Sequence, residues 1–271
     1  MGQSFEDIAN LAEGIGNSFL HEDKVNLEMI AESENISFIE GNYGNHFLGQ
    51  LVHYSNKFYI ILNLDQLANC ESGRIRFTIA HELGHYFIDE HRVKLKNGIS
   101  LSFKEDSDSY KNKKMEFAAN HFAAHLLMPK NHFIEQIKVL DPGISGILTL
   151  KTKYETSIES TIYHYLKLDL SACLMIRWFA DSTFHYASCS KKFSNIIGFK
   201  KKPIPVRFDE RYINKQVEIL DSTECKFIES ASPISRWIST IMQGTKMDIL
   251  GLEQTIKLGE FGGITMLIFQ K

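Results

Sequence analysis

The sequence predicts an α+β protein in three parts: a mixed domain over residues 1–142, a helical connector over 143–168 and a small α+β module over 169–271. Three observations predict this division. Helical and strand patterns alternate as far as Asp141-Pro142-Gly143, which is a turn sequence. Two short helical patterns follow this turn. From Asp169 onward the pattern is mainly that of strands.

The composition is that of a globular protein. The 271 residues are 44% hydrophobic and 23% charged, which excludes a disordered or collagen-like chain. The net charge of −3 gives no overall positive field that would attract nucleic acid or a membrane surface. The first 40 residues nevertheless hold nine acidic residues against a single basic one, Lys24. We expect a cytoplasmic protein with reduced thiols, because the four cysteines are scattered and the sequence has neither a signal-peptide pattern nor a long apolar run.

The first domain alternates helices and strands. Ser4 and Asp7 form a capping pattern that predicts the start of a first helix. Helical periodicity and alternation of apolar residues predict the remaining elements. The helices cover residues 25–33, 72–91, 114–127 and 131–140, and the strands cover residues 37–40, 46–53 and 58–62. The polar segment over residues 102–113 is expected to be a surface loop.

The connector and the last module are read in the same way. The second connector helix opens at Thr156 or Ser157, with Glu159 as its capping partner. Strands are predicted after it, together with one helix and a closing hairpin. The strands cover residues 172–179 and 184–188, the helix covers 234–242, and the hairpin pairs 252–258 with 264–269.

The most informative segment is His81-Glu82-Leu83-Gly84-His85. Residues four apart share one face of a helix, so His81 and His85 can direct their imidazoles at one metal ion. Glu82 lies on a neighbouring part of that face, where its carboxylate can reach a water molecule on the ion without being a ligand. This pattern indicates a metal-dependent hydrolase.

Two residues compete as the third ligand. His91 follows His81 by ten positions, the spacing of the metzincin pattern, but that pattern needs Gly where this chain has Ile88. A β-branched residue disfavours the positive φ of the required turn. Glu116, on the next helix, is favoured instead. Asn120 shares its face, so one of the two can ligate while the other hydrogen-bonds a ligating imidazole. His91 is then expected to be a partly exposed residue just past the helix end.

Two stretches of sequence, taken in order, resemble the ImmA/IrrE family of metallo-endopeptidases. The first is Arg76-Phe-Thr-Ile-Ala-His-Glu-Leu-Gly-His, and the second begins Glu116-Phe-Ala-Ala-Asn and ends Leu-Leu-Met-Pro129. The resemblance is firm over residues 74–129 and looser over residues 1–73. His125 departs from it, because an acidic residue is expected before Leu-Leu-Met-Pro.

The resemblance implies a fold, a cofactor and a substrate. It implies a gluzincin-like domain with one Zn²⁺ per chain bound by His81, His85 and Glu116, with Glu82 catalytic. It implies a helix-turn-helix repressor as the protein substrate, whose cleavage relieves repression of stress or mobile-element genes. Some members carry a C-terminal sensor-like module that resembles a GAF domain, and residues 169–271 are compatible with that plan.

Two non-enzymatic interpretations remain open. The first is a DNA-binding regulator, which is allowed by a helix-turn-helix pattern over residues 145–167 and a basic stretch over residues 190–207. Against it, Glu155 and Glu159 stand where a recognition helix would meet phosphates. The second interpretation keeps the zinc as a structural element in a protein that binds a partner without cutting it. Glu82 weighs against this, since a structural site has no need of that carboxylate.

Overall fold

The computed structural model describes residues 3–68, 70–99, 110–198, 204, 206–238 and 249–269, with residues 110–112 described by their backbone only. The contacts divide the chain into two compact units. One comprises residues 1–139 and 149–160, and the other comprises residues 140–148 and 161–271. The predicted limits at residues 142 and 168 stay a prediction. No helix within the described ranges is long and apolar enough to cross a membrane.

The first unit combines long helices with short strands. Ser4 caps the first helix and accepts a hydrogen bond from the Asp7 amide at 3.1 Å, which confirms the predicted start. The helices are α1 Phe5–Ser18, α2 Leu27–Ser33, α3 Leu64–Leu67, α4 Ser72–Phe87, α5 Asp89–Lys96, α6 Tyr110–Leu127 and α7 Lys130–Lys138. The strands are β1 Leu20–His21, β2 Lys24–Val25, β3 Ile36–Gly41, β4 Gly49–Tyr54 and β5 Lys57–Asn63. The predicted loop over residues 102–113 lies mostly outside the described residues, and its last residues begin α6.

The predicted helix over residues 72–91 is in fact two helices. The chain leaves α4 at Ile88, whose φ of −80° and ψ of 112° are extended, and α5 begins at the next residue. The turn therefore needs no positive φ, and a β-branched residue fits it. The buried Ile88 side chain anchors this break, since only 3% of its surface is exposed. The expectation of one continuous helix was wrong.

A three-stranded sheet supports the helices of this unit. Its order is β3-β5-β4, with β3 parallel and β4 antiparallel to β5. Strand β4 lies against α4 at Gly49, where an added Cβ would lie 2.4 Å from Thr78 Cγ2. Helix α4 also packs closely on α6, because an added Cβ at Gly84 would lie 3.1 to 3.2 Å from Ala119 and Phe122. These two glycines bring β4, α4 and α6 together around one point.

The second unit is built on a five-stranded antiparallel sheet. Its strand order is β7-β6-β10-β9-β8. The strands are β6 Ala172–Trp178, β7 Phe184–Cys189, β8 Phe227–Pro233, β9 Leu250–Lys257 and β10 Gly263–Phe269. The helices are α8 Ile144–Tyr154, α9 Ile158–Lys167, α10 Lys191–Ile197, α11 Glu210–Ser222 and α12 Ile234–Trp237. The division between the two units passes through α8 and α9. The predicted closing hairpin is confirmed as β9 and β10, paired from Lys257 and Gly263 onward.

Two helices of this unit were not predicted. Helix α11 begins at an Asp209 cap and buries Ile213 and Leu220, a seven-residue spacing that signals a helix. Helix α10 begins at Lys191, inside the basic stretch that was interpreted from its charge alone. The predicted helix over residues 234–242 is described only to residue 238, where α12 has already ended at Trp237. The two unpredicted helices cover the sheet face that carries Leu174, Ile176 and Leu267.

Candidate metal centre

Two consecutive turns of α4 direct His81 and His85 to the same point. Their Nε2 atoms lie 3.1 Å apart. Helix α6 brings Glu116 to them, with one carboxylate oxygen 3.2 Å from His81 Nε2 and the other 3.4 Å from His85 Nε2. No second group of three or more converging His, Cys, Asp or Glu ligand atoms is found among the described residues. The structure thus brings together the three residues that the sequence favoured as ligands.

The spacing of these atoms fits a metal ion. A tetrahedral ion with bonds of about 2.1 Å holds neighbouring donors about 3.4 Å apart. The two Nε2 atoms lie 3.1 Å apart, and each lies 3.2 or 3.4 Å from a different oxygen of Glu116, so both imidazoles and the carboxylate face one point at distances close to this spacing. Two imidazoles and one carboxylate form a donor set that leaves a fourth corner for water or substrate. The residues present therefore fit a zinc-like ion.

The electrostatics of the site favour an ionised carboxylate. Burial raises the pKa of Glu116, but its hydrogen bonds to His81 and His85 outweigh burial and bring the pKa to about 2. Burial lowers the pKa of His81, and its interactions with Glu116 and Glu82 reverse this and raise it. A carboxylate that stays ionised well below neutral pH is the form that binds a cation.

Each imidazole has a second partner on its far side. His81 Nδ1 lies 2.9 Å from Asn120 Oδ1, so Asn120 occupies the position predicted for a hydrogen-bond partner of a ligating imidazole. His85 Nδ1 lies 3.0 Å from His91 Nδ1. His91 is 2% exposed and lies within α5, so the expectation of a partly exposed residue past the helix end was wrong. Its ring sits beyond His85 and outside the converging group.

Glu82 shares the cavity but not the donor group. Its side chain is buried, and its Oε2 atom accepts a hydrogen bond of 2.7 Å from the Leu51 amide of β4. The other oxygen is left for a molecule in the cavity. This contact could not be read from the sequence, because a backbone amide has no residue-type signal. Only the close approach of β4 to α4, which Gly49 permits, creates it.

The cavity has a volume of about 420 Å³ and joins polar and apolar walls. The polar wall carries the two histidines, Glu82, Glu116 and Asn120. The apolar wall carries Phe47, Leu48, Leu51 and Phe77. The sequence predicted a strand over residues 46–53 but did not place it at the site. A largely apolar cleft with a few convergent polar groups is the usual form of a small-molecule or peptide site.

Comparison with known proteins gives a family for this region. Residues 50–165 match the family model Peptidase_M78, described as the IrrE N-terminal-like domain. No curated protein matches the chain. Among solved structures, the chain is similar to a "Mycobacterium tuberculosis transcriptional regulator" with a TM-score of 0.58 and 14% identity, over 97% of this chain and 86% of that one. At that identity the likeness concerns the fold alone.

The matched region contains the whole donor group, Glu82, Asn120 and His91. The resemblance inferred from the two sequence motifs is thereby confirmed. Residues 50–165 of this chain match the Peptidase_M78 model of IrrE N-terminal-like domains, the family that the two motifs resemble.

Proposed function

We propose that this protein is a zinc-dependent endopeptidase that makes a restricted cut in a regulatory protein. The observation that carries the proposal is the position of Glu82. Its carboxylate lines the same cavity as His81, His85 and Glu116, yet it stands outside the donor group and is hydrogen-bonded through one oxygen to the Leu51 amide. A carboxylate beside an open coordination position suits hydrolysis.

The reaction assigns a role to each group. A zinc ion at this site would lower the pKa of a water ligand toward about 7 and polarise the scissile carbonyl. Glu82 accepts the proton of the attacking water on its free oxygen and passes it to the leaving amine. Leu51 N–H keeps that carboxylate turned toward the cavity. Asn120 holds His81 in the orientation that points Nε2 inward.

We propose a helix-turn-helix repressor as the substrate, cut to relieve repression of stress or mobile-element genes. The family resemblance supports this choice, and so does the excess of acidic residues in the first 40 positions, which complements a basic DNA-binding partner. Glu28 and Glu32 border a shallow groove of about 340 Å³ beside β3. We also propose that the second unit is a GAF-like sensor module, because its five-stranded sheet, packed against helices, suits such a module.

The DNA-binding alternative is less well supported. A recognition helix must present one face to the groove. In α9 the exposed residues are Tyr163 and Lys167, and most others are buried. The lysines over residues 200–202 of the basic stretch lie outside the described residues. The observation that supports this alternative is the similarity in fold to a transcriptional regulator.

The test is Glu82→Gln. We expect the variant to keep about one zinc per chain, because Glu82 is not a donor, and to lose about 10²- to 10⁴-fold in cleavage rate. New protein N-termini are mapped after zinc-loaded wild type or variant is added to a lysate of host cells. Glu90→Gln, at an exposed carboxylate of α5, is the matched control.

Each outcome decides between the interpretations. New N-termini made by wild type and by Glu90→Gln, but not by Glu82→Gln, support the peptidase. The same N-termini from all three proteins would exclude Glu82 as the proton carrier. Zinc-loaded wild type that makes no cut would favour the non-catalytic alternative.

A further inference from the structure

The two ring nitrogens of His85 face different surroundings. Nε2 points to the converging group, 3.1 Å from His81 Nε2 and 3.4 Å from a Glu116 oxygen. Nδ1 points the opposite way and lies 3.0 Å from His91 Nδ1. Only one of these two nitrogens carries the proton in a neutral imidazole. The partner of Nδ1 therefore decides which nitrogen is left with a lone pair for a metal.

The fold holds His91 at this position from its own helix. The chain breaks at Ile88 and starts α5, where the His91 amide donates to the Ile88 carbonyl at 3.0 Å. His91 and Leu95, one turn later, are the buried residues of this helix. The His91 and His85 rings lie 5.0 Å apart at their centroids, with their planes inclined by 43°. Helix α5 thus presents a buried imidazole to the rear of His85.

The direction of the hydrogen bond follows from coordination. If His85 binds a metal through the Nε2 lone pair, its proton must lie on Nδ1. His85 then donates, and His91 Nδ1 must accept. A metal-binding imidazole nearly always donates its other N–H to a fixed acceptor, which is usually a carboxylate or a carbonyl. Here the acceptor within reach is a second imidazole.

We propose that His91 is a positioning residue of the metal centre. It accepts the Nδ1–H hydrogen bond of His85, fixes the orientation of that ring and keeps Nε2 free for the metal. Glu116 remains the third ligand, and His91 acts through His85 without binding the ion itself. The inference rests on the metal site of the proposed function but does not depend on any peptidase activity.

The test compares three variants of the full-length protein. His91→Leu removes the acceptor at similar volume, and His91→Asn restores one, because Asn Oδ1 occupies the place of His Nδ1. Leu95→Val, at the other buried residue of α5, is the control for disturbed packing of that helix. The zinc Kd is measured by competition with a chromophoric chelator. The visible absorption of the Co²⁺-substituted protein and the melting temperature of the metal-free protein are recorded beside it.

We expect His91→Leu to weaken zinc binding about 10- to 100-fold and to alter the Co²⁺ spectrum. His91→Asn should stay within about threefold of wild type. Leu95→Val should lower the melting temperature of the metal-free protein and leave the zinc Kd unchanged.

Two results with the variants would overturn the inference. One is wild-type affinity in His91→Leu. The other is an equal loss in His91→Leu, His91→Asn and Leu95→Val, which would mean that only the packing of α5 matters. Wild-type protein that binds no zinc would overturn both this inference and the proposed peptidase. A failure to find any cleaved protein would overturn only the latter.

Discussion

At the scale of single residues, the donor group depends on spacing along helices. His81 and His85 lie four residues apart, and Glu116 and Asn120 repeat that interval on α6. Residues at this interval share a face, so each helix supplies two polar groups to one point. This regularity is why the sequence alone predicts the group. The distances of 3.1 to 3.4 Å among the donor atoms agree with it.

Other residues of the site carry no such signal. From the sequence, His91 was considered as a ligand or as a partly exposed residue. Its position along the chain does not reveal which way the chain continues after α4 ends. The contact of the Leu51 amide could not be predicted from the sequence for a different reason. Any residue other than proline has a backbone N–H, and the contact of this one with Glu82 depends on how closely β4 approaches α4.

Loss of the third ligand gives the first prediction. Glu116→Ala should abolish tight zinc binding, because two imidazoles alone leave the ion with half of a tetrahedral set. Metal content is measured on purified protein after dialysis against zinc at a fixed free concentration. Glu90→Ala, which removes an exposed carboxylate of α5, should keep about one zinc per chain. Full metal content in Glu116→Ala would mean that another residue completes the site.

At the scale of elements, the distance between α4 and α6 controls the site. Gly84 stands between the two ligating histidines and faces Ala119 and Phe122 of α6. The absence of a side chain at Gly84 lets α6 come near enough for Glu116 to reach both imidazoles. The sequence of α6 supplies small alanines on its side of this contact. The structure adds Gly84 as the facing residue on α4.

The second prediction follows from this packing. Gly84→Val inserts a branched side chain at a point where even a Cβ lies 3.1 Å from Ala119, so α6 must shift. We expect a loss of about 1 to 3 kcal/mol in the free energy of unfolding of the metal-free protein, together with weaker zinc binding. Both are measured by urea unfolding and chelator competition.

Gly14→Ala is the matched control for that substitution. Apart from the adjoining backbone of α1, no atom of the described residues lies within 4 Å of an added Cβ at Gly14, so this variant should gain up to about 1 kcal/mol and keep its zinc affinity. Gly84→Val with wild-type affinity would show that α6 can adapt without moving Glu116.

At the scale of the whole molecule, the sequence pattern predicts most of the elements of the last module. Four strands of the last module were predicted, and all four are present close to the expected residues. The fifth strand, β8, was not predicted, because it is a half-exposed edge strand whose serines and glutamate weaken the apolar signal. Helices α8 and α9 are each divided between the two units, and a helical pattern in a sequence identifies a helix but not the unit onto which it packs.

The third prediction concerns the stability of the unit that carries the donors. A ligand that binds only the folded state stabilises it by about 4 kcal/mol at a thousandfold excess over its Kd. At about 2 to 4 °C per kcal/mol, zinc should raise the melting temperature by about 8 to 16 °C. Scanning calorimetry with zinc and with a chelator measures this shift. Glu116→Ala should abolish the shift, and a shift of equal size in that variant would point to zinc binding elsewhere.

The hydrogen bond between Leu51 and Glu82 has a consequence for inhibition. Glu82 is oriented by a strand of the sheet and not by its own helix. A compound that accepts the Leu51 N–H in place of Glu82 would release this carboxylate from its position while His81, His85 and Glu116 remain untouched. Such a compound needs no metal-chelating group, so its binding would depend on the shape of the strand and of the apolar wall beside it.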